Sequence, residues 1–106
     1  DHRNYNKDGE AFSVGETFSG IAFDKGLEIV DTLKQSVPEG MTMAQFAMRW
    51  ILDHEAVTTI IPGASSASQV TQNARVSQLP VVDQAVHETL FAYYESDIEK
   101  HIRCPL

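Results

Sequence analysis

Val57-Thr58-Thr59-Ile60-Ile61-Pro62-Gly63, followed closely by Ser66-Ala67-Ser68-Gln69, sets a short strand pattern directly before a helix start. Residues 57–61 are β-branched and largely apolar, and Pro62-Gly63 stops them, which predicts a buried strand. Ser66 and Gln69 have the capping-box spacing and predict a helix to about Arg75. Strand-then-helix order is the unit of a parallel sheet, and such a sheet needs neighbouring strands. No other stretch reads as a strand with comparable clarity. A lone buried strand would leave N–H and C=O groups unpaired at about 1–3 kcal/mol each. The pattern therefore reads as part of a larger α/β structure. The other reading left open is a self-sufficient four-helix domain with an extended connector at 57–61.

Working outward, the apolar spacing of Phe23, Leu27, Val30 and Leu33 predicts a helix over 24–36, broken by Val37-Pro38-Glu39-Gly40. Thr42 and Gln45 form another capping-box pair, and Met43, Phe46, Ala47, Trp50 and Ile51 give the apolar face of the next helix. Asp53-His54-Glu55 marks its exit. A last helix is expected from about Asp83 to His101, with Val86, Leu90, Tyr94, Ile98 and Ile102 on one face. Residues 1–20, rich in Gly, Asn, Asp and Glu, carry no regular period and read as a long loop.

Composition narrows the function classes. Fifteen acidic residues against eight Lys and Arg give a net charge of -7. That balance disfavours nucleic acid, whose phosphates call for a basic patch, and anionic membrane surfaces. No apolar run approaches the roughly 18 residues of a membrane span, and the first residues do not resemble a signal peptide. The single Cys104 has no internal disulfide partner, which points to a reducing compartment, the cytoplasm.

Ala44-Gln45-Phe46-Ala47-Met48-Arg49-Trp50-Ile51-Leu52, followed by Val57-Thr58-Thr59-Ile60-Ile61-Pro62-Gly63-Ala64, resembles the aldo-keto reductase family. There a helix ending in an "ALRW"-like sequence precedes the last barrel strand and an "IPG" turn. Asp1-His2-Arg3-Asn4-Tyr5-Asn6, Gly9-Glu10-Ala11-Phe12 and Gly15-Glu16-Thr17-Phe18-Ser19-Gly20 are similar to a long loop in one bacterial-type branch. The resemblance fades only after about Ser96. It implies that residues 1–106 are the C-terminal part of a (β/α)8 TIM barrel, itself mostly helical with a single strand. On that reading 1–20 is the loop after strand 7 and 24–53 the helix-7 region. Strand 8 is then 57–61, a cofactor-side helix occupies 66–75, and the C-terminal helix spans 83–102.

The resemblance also implies an NAD(P)H-dependent oxidoreductase that reduces aldehydes or ketones to alcohols. The family's catalytic Asp, Tyr, Lys and His fall on earlier strands, so no catalytic residue is assigned here and the chain alone is expected to be inactive. By position, Gly63, Ala64 and Ser65 would lie along the phosphates of NADPH or NADH. Gln69 would reach the adenosine 2′ position, and Gln72 and Asn73 the adenine amino edge. Ser65 and Ser66 stand where relatives usually carry Lys or Arg, which implies a weaker preference for NADPH over NADH. Judged without the family, Ser65, Ser66 and Gln69 are ordinary cap and turn residues.

The expected partners are the rest of the barrel and a small carbonyl substrate, with no nucleic acid and no membrane. The alternatives are a non-catalytic NADP-binding module, or a helical piece that binds no cofactor and self-associates through apolar faces. His2, His54, His87 and His101 lack a ligand spacing, so no metal site is expected. Glu95, Asp97 and Glu99 read as a solvated face, and Trp50 as core.

Overall fold

A computed structural model of the protein describes residues 20–102. The loop expected at the start of the chain, with His2, and Cys104 near its end, lie outside the described residues apart from Gly20. The chain divides into two compact units, one made of residues 1–35 and 88–106, the other of 36–87. Among the described residues there are four α-helices and no strand.

In the first unit α1 runs Phe23–Leu33 and continues as a 3-10 turn over Lys34–Ser36. Its N-cap, Ala22, provides no side-chain bond, and the acidic Asp24 in the first turn suits the positive helix end. The helix is where the spacing predicts it, but it is turned about its axis. Ile29 is buried, whereas Leu27 and Val30 of the predicted stripe are exposed. Ile29 and Leu33, four residues apart, share the inner face with Lys25 and Gly26, and the apolar stripe of the sequence lies to one side of it.

In the second unit Gly40, with φ of 84°, makes the turn in which Met41 N–H donates to Pro38 O at 3.2 Å. This left-handed conformation favours glycine. Helix α2 spans Met43–Leu52 and opens with the expected capping box. Gln45 N–H donates to Thr42 Oγ1 at 3.2 Å, and Thr42 N–H donates to Gln45 Oε1 at 2.9 Å. Phe46, 3% exposed, is buried on its inner face, while Ile51 and Ala47 of the predicted face lie outward. Helix α3 spans Ala67–Arg75 and passes into a 3-10 turn over Val76–Gln78, which neighbours α2 and buries Val76.

Residues 57–61 do not form the expected strand. Residues 58–61 make no backbone–backbone hydrogen bond among the described residues, and Ile61 is 96% exposed. A strand exists only as one rung of a ladder, and no neighbouring strand is present among the described residues to supply the other rung.

Helix α4 spans Gln84–Tyr93 and leads into a π-helical turn at Tyr94–Ile98 and a 3-10 turn at Glu99–His101. Val86, Leu90, Tyr94, Ile98 and Ile102 are all half-buried, as their spacing predicts. A spacing of four overshoots the α-helical turn of about 3.6 residues, so such a stripe winds around a regular helix. The wider turn at 94–98 takes up the excess, because its bonds reach one residue further. Asp97 departs from the solvated face expected of it: it pairs with Lys25 Nζ at 3.0 Å and is 29% exposed.

Candidate functional site

The loop between Ile61 and α3, together with one face of α3, holds every residue to which the sequence assigns a cofactor role. Residues 62–74 contain no ionisable side chain. Gly63, Ala64, Ser65, Gln69 and Gln72 are exposed, and Asn73 is half-buried. A Cβ built on Gly63 would meet nothing within 4 Å, so this backbone stands open to a ligand. Beside it lies an open cleft of about 410 Å³ lined by Leu52, Thr58, Ile60, Ala64, Val70 and Asn73 among others. Ala64 and Asn73 reach the cleft, whereas Gly63, Ser65, Gln69 and Gln72 are not part of its lining.

The local sequence explains the shape of the loop. Ser66 caps α3, its Oγ accepting from Gln69 N–H at 3.2 Å. A capping box would send the Gln69 side chain back to the Ser66 N–H. Instead Gln69 Oε1 accepts from Ser65, both from its N–H at 2.6 Å and from its Oγ at 3.0 Å. Asn73, one turn further on, donates from Nδ2 to Gly63 O at 3.2 Å. Gln72 Nε2 reaches Ser68 Oγ at 3.5 Å. The N–H groups of Ala67 and Ser68, in the first turn of the helix, have no intrahelical acceptor. These neutral donors fit a phosphate-bearing group at the positive end of the helix. They offer no formal positive charge to a second anionic group.

A different cluster sits at the end of α2, and sequence reasoning missed it. The Asp53 side chain, 7% exposed, takes donors on both oxygens. Arg49 approaches Oδ1 with Nε at 2.8 Å and Nη2 at 2.7 Å. Val82 N–H donates to Oδ2 at 2.8 Å, and His87 Nε2 lies 3.2 Å from the same oxygen. An ionised carboxylate only accepts, so His87 Nε2 carries the hydrogen. Burial opposes ionisation of Asp53, but the bonds from Val82 N–H, His87 and Arg49 outweigh it and hold the carboxyl below the ordinary aspartate range. The i,i+4 spacing of Arg49 and Asp53 signals a pair in the sequence. Nothing local signals His87 or the Val82 amide.

Trp50 is half-buried beside this cluster, with the His54 ring edge-on at 4.4 Å and the His87 ring stacked at 6.1 Å. Its Nε1 is buried without a hydrogen-bond partner among the described residues. His54 Nδ1 donates to Trp50 O at 2.8 Å, so this imidazole acts as a cap for the end of α2. No group of three or more metal-binding side chains occurs among the described residues. Elsewhere, in the first unit, the Lys25 and Lys100 ammonium groups hold the Asp97 carboxyl down at about 2. His101 Nε2 stands 3.8 Å from the same carboxylate.

The sequence pattern of the aldo/keto reductase family matches residues 2–94, and the chain belongs to that family. Among individual proteins, it is similar to L-glyceraldehyde 3-phosphate reductase of Escherichia coli O157:H7, at 36% identity over 64 residues. That match takes in 59% of this chain and 16% of the relative, so the likeness reaches only a small part of the relative's length. No solved structure matches the chain. None of the helices among the described residues is long and apolar enough to cross a membrane.

Proposed function

We propose that this chain forms the adenosine side of an NAD(P)(H) site in a (β/α)8 reductase of the cytoplasm that converts small aldehydes or ketones to alcohols. The family match over residues 2–94 carries the proposal. The open, uncharged loop at 63–65 before α3 agrees with it. In this reading Gly63, Ala64 and Ser65, with the N–H groups of Ala67 and Ser68, receive the phosphates. Gln72 and the outer faces of Gln69 and Asn73 border the adenosine. The cofactor, when bound, supplies the hydride, and the protein orients it. The acid that protonates the carbonyl oxygen belongs to other strands of the barrel, so this chain by itself binds without turning over.

The test is a titration of the full-length protein with NADPH and NADH, followed by an assay with small aldehydes. Binding with consumption of the reduced nicotinamide is the expected result. Binding with no turnover of any carbonyl points to a regulatory, non-catalytic use of the same site. Failure to bind either nucleotide overturns the reading.

The exposed Ile61, Val70 and Val81 favour a second reading, in which these apolar surfaces meet a second copy of the chain. Sedimentation across a range of concentrations separates the two. A size that grows with concentration supports self-association, and a constant monomer mass removes it.

A further inference from the structure

We infer that Gln69 and Asn73 are positioning residues that staple the Gly63–Ser65 loop to α3 before any ligand arrives. The two carboxamides sit at i and i+4, on one face of the helix. Between them they make three hydrogen bonds to a loop of three residues: Ser65 N–H and Oγ to Gln69 Oε1, and Asn73 Nδ2 to Gly63 O. The amide orientations are dictated by the partners. A backbone N–H only donates, so the oxygen of Gln69 faces Ser65. A carbonyl only accepts, so the nitrogen of Asn73 faces Gly63. Both side chains are thus committed to the loop through one atom each.

A glycine with open space around it and an exposed serine would otherwise leave this loop many conformations. The staple removes most of them in advance. A preorganised loop binds more tightly because the ordering cost falls outside the binding step. Besides bordering the adenosine with their outer faces, Gln69 and Asn73 therefore also act on a ligand through the loop backbone. This last step rests on the proposed cofactor role, whereas the staple itself does not.

Amide hydrogen exchange on the cofactor-free full chain tests the staple directly. Gln69→Ala should speed exchange of the Ser65 N–H by roughly fivefold, the effect of losing a bond of ordinary strength. Helix content should be unchanged, since alanine is a good helix former and the Ser66 cap remains. Gln69→Glu keeps an acceptor oxygen at the same reach and should restore the slow exchange, a rescue that general destabilisation would not give. Asn73→Ala, which frees the Gly63 carbonyl, should speed Ser65 exchange by a smaller factor. Unchanged Ser65 exchange in Gln69→Ala, or no rescue by glutamate, overturns the staple. NADPH binding by the same variants tests the second step. Gln69→Ala and Asn73→Ala should each weaken it at least as much as they speed Ser65 exchange, and wild-type affinity in both would overturn the positioning role. A wild-type chain that shows slow Ser65 exchange and binds no NADPH would instead refute the cofactor reading and leave the staple standing.

Discussion

The Asp53 cluster and the Gly63–Asn73 loop lie within one small unit, yet they use their polar groups in opposite ways. At Asp53 a nearly buried charge gathers donors from α2, from the Val82 connector and from the head of α4. In the loop every polar group is neutral and most are exposed. The first arrangement is closed on itself and holds chain segments together. The second keeps its own shape with few bonds and leaves an open face. A polar cluster that satisfies itself is a structural joint, and one that stays open is a candidate for binding.

Asp53→Ala should give the largest effect that separates them. It strips the partner from the Arg49 guanidinium, 11% exposed, and from the Val82 N–H, and should cost about 3 kcal/mol in urea unfolding. An equal loss from any change in the loop would erase the contrast. Asp53 also predicts a pH dependence. Its folded-state carboxyl is depressed, so its contribution is fully present above the unfolded aspartate value of about 3.9. It is lost as pH falls through the lower folded value. Asp53→Asn should flatten that part of the stability profile.

Ser65→Arg should leave stability within about 0.5 kcal/mol, because the site is exposed. On the cofactor reading it should raise the NADPH over NADH affinity ratio roughly tenfold, since a charge-assisted bond is about twice as strong as a neutral one. An unchanged ratio would place the 2′ group away from this loop. His87→Gln is a smaller probe of the closed cluster and should cost about 1 kcal/mol, one ordinary hydrogen bond. Gln72→Ala should be nearly silent in unfolding, within about 0.5 kcal/mol. A larger loss would mean that this face of α3 is also a joint.

Local signals were readable in the sequence, and distant ones were not. The Thr42–Gln45 capping box, the Ser66 cap, the Gly40 turn and the helix limits all depend on residues a few positions apart. The facing of α1 depends on what packs against it, and the predicted stripe missed Ile29. The Val57–Ile61 pattern is a strand's pattern, but a strand also needs a neighbour, and composition cannot supply one. In the site, the exposure of 63–65 was legible as a small polar turn after Pro62 and before a helix cap. The turning of Gln69 onto Ser65, rather than onto the cap residue, was beyond reach. The N–H groups of Ser65 and Ser66 are neighbours in sequence, and only loop geometry chooses between them. His87 meets Asp53 across 34 residues of sequence, which no local rule bridges.

The widened turn at Tyr94–Ile98 makes the chain's length a matter of phase. It holds one residue more than a regular turn would, so removing any single residue from it would restore plain α-helix and rotate the remainder of the segment by about 100°. Ile98 and Ile102 would leave the half-buried line they share with Leu90, and Asp97 would swing away from Lys25. The segment behaves as an insertion that the helix has absorbed and come to depend on. Shortening it by one residue should therefore harm the protein more than most single substitutions there.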